Sequence, residues 1–194
     1  MAADEQVTSL SLLQRARVRD DLAWAKLVSL YEPLVLQWCR RGGTLGAEAH
    51  DVAQEVFLAA ATGLATFERA RAGSFRAWLR GIARHKLLDH YRRRARQPAT
   101  ASGGTDAMQR IHELPAEPTP DEEATEVGGL YRRALDLVRP EFETRTWDAF
   151  WRSAIDRHDT GAIAADLRMT AVAVRIAKSR VLSRLREEAG ELIA

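Results

Sequence analysis

The stretch Ser74 to Arg96, SFRAWLRGIARHKLLDHYRRRAR, constrains this chain most, because its apolar spacing reads as a single helix with two different faces. Phe75, Trp78, Leu79 and Ile82 fall at i, i+3, i+4 and i+7, the spacing of one buried helical stripe. Opposite them Arg76, Arg80 and Arg84 form an i, i+4, i+8 row whose line continues through Leu87 and Tyr91. Eight Arg or Lys stand against one carboxylate, Asp89. A helix anchored by one face and presenting guanidinium groups on another suits phosphate backbones. The competing reading is a solvated basic face.

The remainder of the chain also reads as helical, since strand alternation is missing and Ala, Leu, Arg and Glu dominate. With 194 residues there is room for one medium domain or two small ones. The net charge of +2 conceals a segregation. Residues 74–96 are strongly basic, whereas residues 97–126 hold seven carboxylates against Arg110 alone. No apolar run is long enough to span a bilayer, and MAADEQVTSL lacks the segments of a signal peptide. A cytoplasmic protein without membrane insertion is expected. The single cysteine, Cys39, lies among Val35, Leu36 and Trp38 and reads as a small core residue.

Thr8, Ser9 and Ser11 offer caps to a short first helix, and Asp20 or Asp21 to a second that carries Leu22, Trp24, Leu27, Val28, Tyr31, Leu34, Val35 and Trp38. Pro33 should kink or split that helix, and Gly42 and Gly43 should end it. A third helix is expected over about Gly46 to Leu64. At about 100° per residue Val52, Ala53, Val56, Phe57, Ala60 and Leu64 share its inner side. Asp51, Gln54, Glu55, Leu58 and Thr62 share its outer side, so Leu58 is either the centre of a protein-binding patch or a solitary exposed leucine. The connection to the basic helix contains Phe67, Arg69 and Arg71, a composition that suits stacking of unpaired bases, although Phe67 reads equally well as a core residue.

DVAQEVFLAA followed by SFRAWLRGIARHKLLDHYRRRAR resembles the second conserved region of bacterial RNA polymerase sigma factors of the extracytoplasmic-function class, over roughly residues 8–96. The resemblance implies that Asp51, Gln54, Glu55 and Leu58 contact the beta-prime clamp of core RNA polymerase. It also implies that Phe67, Arg69, Arg71 and Ser74 lie near a captured promoter base, and that Arg76, Arg80, Arg84, His85 and Lys86 lie on promoter DNA. Relatives commonly carry Asn at the position of His85.

Residues 97–126 contain four prolines, a glycine pair and the seven carboxylates, and read as a flexible acidic linker. Met108, Ile111 and Leu114 form a short apolar patch within it. From Val127 a second helical domain is expected. Leu130, Ala134, Leu137 and Val138 form one amphipathic helix ended by Pro140, and Trp147, Phe150, Trp151 and Ile155 the buried stripe of the next. TGAIAADLRMTAVAVRIAKS, Thr160 to Ser179, has the spacing of a helix-turn-helix. Arg168 stands where a glycine is usual at the turn. In the second helix Val174, Ala177, Val181 and Leu185 face inward, and Thr170, Ala171, Arg175, Lys178 and Ser179 are the candidate DNA contacts. A domain of this kind at this position resembles the part of the family that reads the minus-thirty-five promoter element.

The expectation is an all-α chain of two small helical domains, 1–96 and 127–194, joined by the linker 97–126. The resemblance implies a sigma factor and not an enzyme, with core RNA polymerase and promoter DNA as partners and an anti-sigma protein left open as a third. No cofactor is expected, and the scattered histidines give no metal-ligand spacing. The alternative is a helix-turn-helix regulator that binds DNA without polymerase.

Overall fold

The computed structural model describes residues 12–68, 74–95 and 118–193. Its elements are α1 (Leu12–Arg17), α2 (Asp21–Arg41), α3 (Gly46–Gly63), a 3-10 turn (Leu64–Thr66), α4 (Phe75–Ala95), α5 (Pro120–Val138), a 3-10 turn (Arg139–Glu141), α6 (Thr144–Ala154), α7 (Thr160–Asp166) and α8 (Ala171–Ile193). Among the described residues there is no strand, and no helix long and apolar enough to cross a membrane. Thr8, Ser9, Ser11 and the patch Met108, Ile111, Leu114 lie outside the described residues.

Helix α2 starts at Asp20, whose Oδ1 accepts from the Ala23 amide at 3.0 Å. It runs through Pro33 to Arg41, so the expected split does not occur. The proline ring removes one backbone donor, while Leu30, Tyr31, Leu34 and Val35 around it are fully packed, and that packing outweighs the lost bond. Beyond the end of the helix Gly43 has φ +97°, and a Cβ there would meet the Tyr91 hydroxyl at 3.0 Å. Both backbone and space therefore require glycine at this position. The Tyr91 hydroxyl donates to the Gly42 carbonyl at 3.1 Å and fastens α4 to this corner.

Helix α3 buries Val52, Ala53, Val56, Phe57 and Ala60 against α2 and α4, as its periodicity requires. In α4 the buried line is Phe75, Leu79, Ala83, Leu87 and Tyr91. This corrects the expected faces. An i, i+4 ridge rotates by about 40° per step on a helix of 3.6 residues per turn, so Leu87 and Tyr91 follow the core and leave the arginine row.

Helix α5 begins inside the segment expected to be linker. Thr119 Oγ1 accepts from the Glu122 amide while Glu122 reaches back to the Thr119 amide, a capping box completed by Pro120 at the first helical position. Residues 120–126 are therefore helix, and the boundary drawn at Val127 falls within it. Leu130 and Ala134 of α5 join the core formed by α1 to α4, whereas Val138 joins a second cluster with Trp147, Phe150 and Val181. One helix thus serves both halves.

On α6, Trp147 and Phe150 are buried but Trp151 and Ile155 are exposed, which shortens the stripe expected there. A third cluster, Ala149, Ile163, Val174 and Ala177, holds α7 against α8 through Ala164, Leu167 and Met169. Asp159 caps α7 by accepting from the Gly161 and Ala162 amides at 2.9 and 3.0 Å. Arg168 sits in the turn at φ +51°, the left-handed geometry the sequence asks of it. Asp159→Ala should lower stability by about 1 kcal/mol in urea unfolding, the usual worth of such a cap. A loss confined to α7, detected by hydrogen exchange, would accompany it.

Candidate functional site

Two surfaces on the first half and one on the second carry the expected site residues. On α3, Asp51 and Gln54 are exposed, Glu55 is half-buried, and Leu58 is 70% exposed. Beside them α2 and α3 enclose a groove of about 360 Å³ lined by Trp24, Val28, His50, Phe57 and Leu58. The Trp24 and Phe57 rings meet edge to face at 6.4 Å and form its apolar floor. Glu55 is tied to α4 through Arg93 at 2.6 Å, which leaves Asp51, Gln54 and Leu58 as the free edge of this patch. The sequence places Trp24 and Val28 among the apolar residues of the second helix, but not beside His50 and Leu58, because no local spacing connects α2 with α3.

The basic helix is not uniformly open. Arg84 and Lys86 are half-buried and His85 is exposed, with His85 Nδ1 2.7 Å from the Gly81 carbonyl. Ser74 accepts from the Ala77 amide at 3.2 Å and so starts the helix. Arg76 departs from expectation. Its residue is only 9% exposed; Nη1 donates to Glu126 at 2.9 Å, and Nη2 pairs with Glu123. Arg80 reaches the same Glu126 at 3.4 Å and lies over the Trp38 ring at 5.7 Å. The Trp38 indole N–H completes the arrangement, donating to Glu126 at 2.8 Å. In this conformation Arg76 is not a free phosphate contact, because burial beside two carboxylates already satisfies its charge.

Phe67 also differs from the base-stacking expectation. It is 4% exposed and packs its ring at 5.7 Å from Phe75 and 5.0 Å from Trp78. Arg17 lies over its outer side at 5.5 Å and donates to its carbonyl at 2.7 Å. The ring is thus core, the second of the two readings open for it. Arg69 and Arg71 lie outside the described residues.

On α8 the Thr170 hydroxyl accepts from the Ala173 amide at 3.1 Å, so this candidate contact caps the helix. Val172, Arg175, Ile176 and Ser179 are exposed, while Ala171 and Lys178 are half-buried. Arg175 Nε donates to the Ala171 carbonyl at 3.2 Å, which lays its side chain back along the first turn. Arg184, a flanking cation in the sequence reading, is engaged by Glu141, Glu187 and Glu188. The hydrogen bonds that Arg184 donates to Glu141, foremost, and to Glu188 push its pKa up and keep it charged. Cys39 is fully buried, and desolvation pushes its thiol up to about 11, which fits a packing role. Among the described residues no group of His, Cys, Asp and Glu is arranged to hold a metal ion.

Residues 27–97 match the Sigma-70 region 2 family, a span that includes α3, α4 and most of α2. The chain is also similar over nearly its whole length to curated proteins. It is 31% identical to the extracytoplasmic-function RNA polymerase sigma factor SigD of Mycobacterium tuberculosis, over 92% of this chain and 82% of that one. It is 30% identical to the extracytoplasmic-function RNA polymerase sigma factor ShbA of Streptomyces griseus, over 96% of this chain and 97% of that one.

Proposed function

The chain belongs to the extracytoplasmic-function class of RNA polymerase sigma factors, and from that premise we propose how its surfaces divide the work of promoter-specific initiation. Core RNA polymerase and promoter DNA are the partners of such a protein, and the bond-making chemistry belongs to the polymerase. A stand-alone DNA-binding regulator is therefore not retained.

In this division the outer edge of α3, Asp51, Gln54 and Leu58, with Glu55 behind it, docks on the beta-prime clamp. The observation that carries it is Leu58, a large apolar side chain 70% exposed at the mouth of an apolar groove and flanked by polar groups that can fix orientation. The domain of α1 to α4 holds the minus-ten region of the promoter, with Arg80, Arg84, His85 and Lys86 on its backbone. Helix α8 enters the major groove at the minus-thirty-five element with Val172, Arg175, Ile176 and Ser179 outermost. An anti-sigma protein would act by covering one of these surfaces.

Run-off transcription with purified core polymerase and genomic promoter fragments tests the assignment. Promoter-specific transcripts that depend on the added chain are expected; no transcript together with no core binding would remove it. Within that assay Arg175→Ala should weaken recognition of the upstream element and spare strand opening. Arg84→Ala should slow open-complex formation and reduce the slope of log affinity against log salt by about one unit. Equal loss of both steps in both variants would contradict the division.

A further inference from the structure

The first turns of α5 are held to the body by charge, in a way the rest of that helix is not. Between Pro120 and Val127 the one buried residue is Glu126. Glu122, Glu123 and Glu126 share one face of the helix and meet three arginines of the first half. Glu122 pairs with Arg41 at 3.1 Å, Glu123 with Arg76, and Glu126 with Arg76 at 2.9 Å and Arg80 at 3.4 Å. Apolar anchoring begins only at Leu130. Between the charged turns and that anchor lie Gly128 and Gly129. A Cβ added at Gly128 would meet nothing within 4 Å, so no packing demands glycine there. Two consecutive glycines within a helix are a weak point in it.

Arg80 is one of the cations that the proposed function lays on promoter phosphates, and Arg76 precedes it by four residues in the same i, i+4 row. While the carboxylates occupy them, a phosphate cannot. We propose that Pro120–Glu126 is an autoinhibitory strap: its three carboxylates stand in for DNA phosphates on Arg41, Arg76 and Arg80, and it swings away at Gly128–Gly129 when the chain joins core polymerase. The inference rests on the reading of α4 as a DNA-binding helix. The strap lowers the affinity of the free chain for DNA by the fraction of molecules in which it is open. It leaves the polymerase-bound form unaffected.

The test uses the full chain, free and bound to core polymerase, with a labelled mixed-sequence duplex followed by fluorescence anisotropy. Glu123→Gln/Glu126→Gln weakens the strap and should tighten DNA binding of the free chain by at least about threefold. The gain is a sign that a misfolded variant cannot imitate, whereas Gly128→Ala stiffens the hinge and should weaken binding with helix content and urea stability maintained. Neither change should alter DNA binding in the polymerase complex. Spin labels at Arg92→Cys and Thr125→Cys report strap position without DNA, and buried Cys39 stays unlabelled. The distance between them should lengthen in Glu123→Gln/Glu126→Gln and on addition of polymerase. An unchanged distance, or the same affinity gain in free and bound chains, overturns the strap. Arg84, which takes part in none of the strap's contacts, keeps the two readings apart. If Arg84→Ala leaves DNA affinity intact in the complex, the DNA assignment of α4 fails, whatever the labels report about the strap.

Discussion

Replacing Phe67 with alanine should destabilise the chain by about 3–5 kcal/mol, the range for removing a buried aromatic ring. Loss of promoter opening should follow only as a consequence of lost folding. The ring is enclosed by Phe75 and Trp78, and Phe75 in turn meets Tyr31 edge to face at 5.1 Å, so the cavity would open in the aromatic centre of the first half. Arg17 would lose its ring contact as well, although its bond to the backbone carbonyl of residue 67 could persist. Urea unfolding measures the stability, and binding to a duplex with a pre-opened bubble measures strand capture. Phe67→Leu, which refills most of the volume, should recover both together. A Phe67→Ala chain of normal stability that binds the bubble poorly would return the ring to the captured base.

Where a face is set by one helix, the sequence sufficed to read it. Val52, Val56 and Ala60 of α3, and Val174, Ala177 and Val181 of α8, are buried where their periodicity puts them, and Leu58 and Arg175 are exposed opposite. The all-helical class follows from the same periodicity. What escaped depends on neighbours. Leu87 and Tyr91 are core because α4 is long enough for its buried ridge to rotate past the arginine row, which a short window does not reveal. Trp151 and Ile155 match the spacing of a stripe, yet α6 packs only its Trp147 and Phe150 side at depth.

The end drawn for the linker, at Glu126 where α5 has already begun, had a legible correction. Thr119-Pro-Asp-Glu is a helix start by its capping chemistry, but the prolines and acids around it point to a flexible tether when judged by composition. The destination of Glu126 was not legible at all. Its partners Trp38, Arg76 and Arg80 are 88, 50 and 46 residues away, and no local pattern encodes a contact at that range. Nor did any pattern announce Glu188, buried near the end of α8 and paired with Arg15 and Lys26 at 3.7 Å and with Arg184. Long-range ion pairs of this kind tie α5 and α8 to the first half, through Glu126 and Glu188.

Leu58→Arg should cost core-polymerase binding about 2 kcal/mol or more, roughly a thirtyfold loss of affinity, while leaving the fold intact. The fold should tolerate it because the side chain is already 70% exposed and contributes little to the core below. Binding should not, because an apolar anchor at the mouth of the Trp24, Val28 and Phe57 groove would be replaced by a cation that must be desolvated on docking without an assigned partner. Leu45→Arg is the matched control: Leu45 is 71% exposed but precedes the first turn of α3, more than three helical turns from Leu58. Affinity for core polymerase is read by titrating labelled chain, with circular dichroism to check helix content. The expected pattern is a large loss for Leu58→Arg, a smaller one for Asp51→Ala and none for Leu45→Arg, with DNA binding by the free chain unchanged in all three. Equal losses at Leu45 and Leu58 would show a general aversion to added positive charge. Unchanged affinity at Leu58 would move the polymerase contact off this edge of α3.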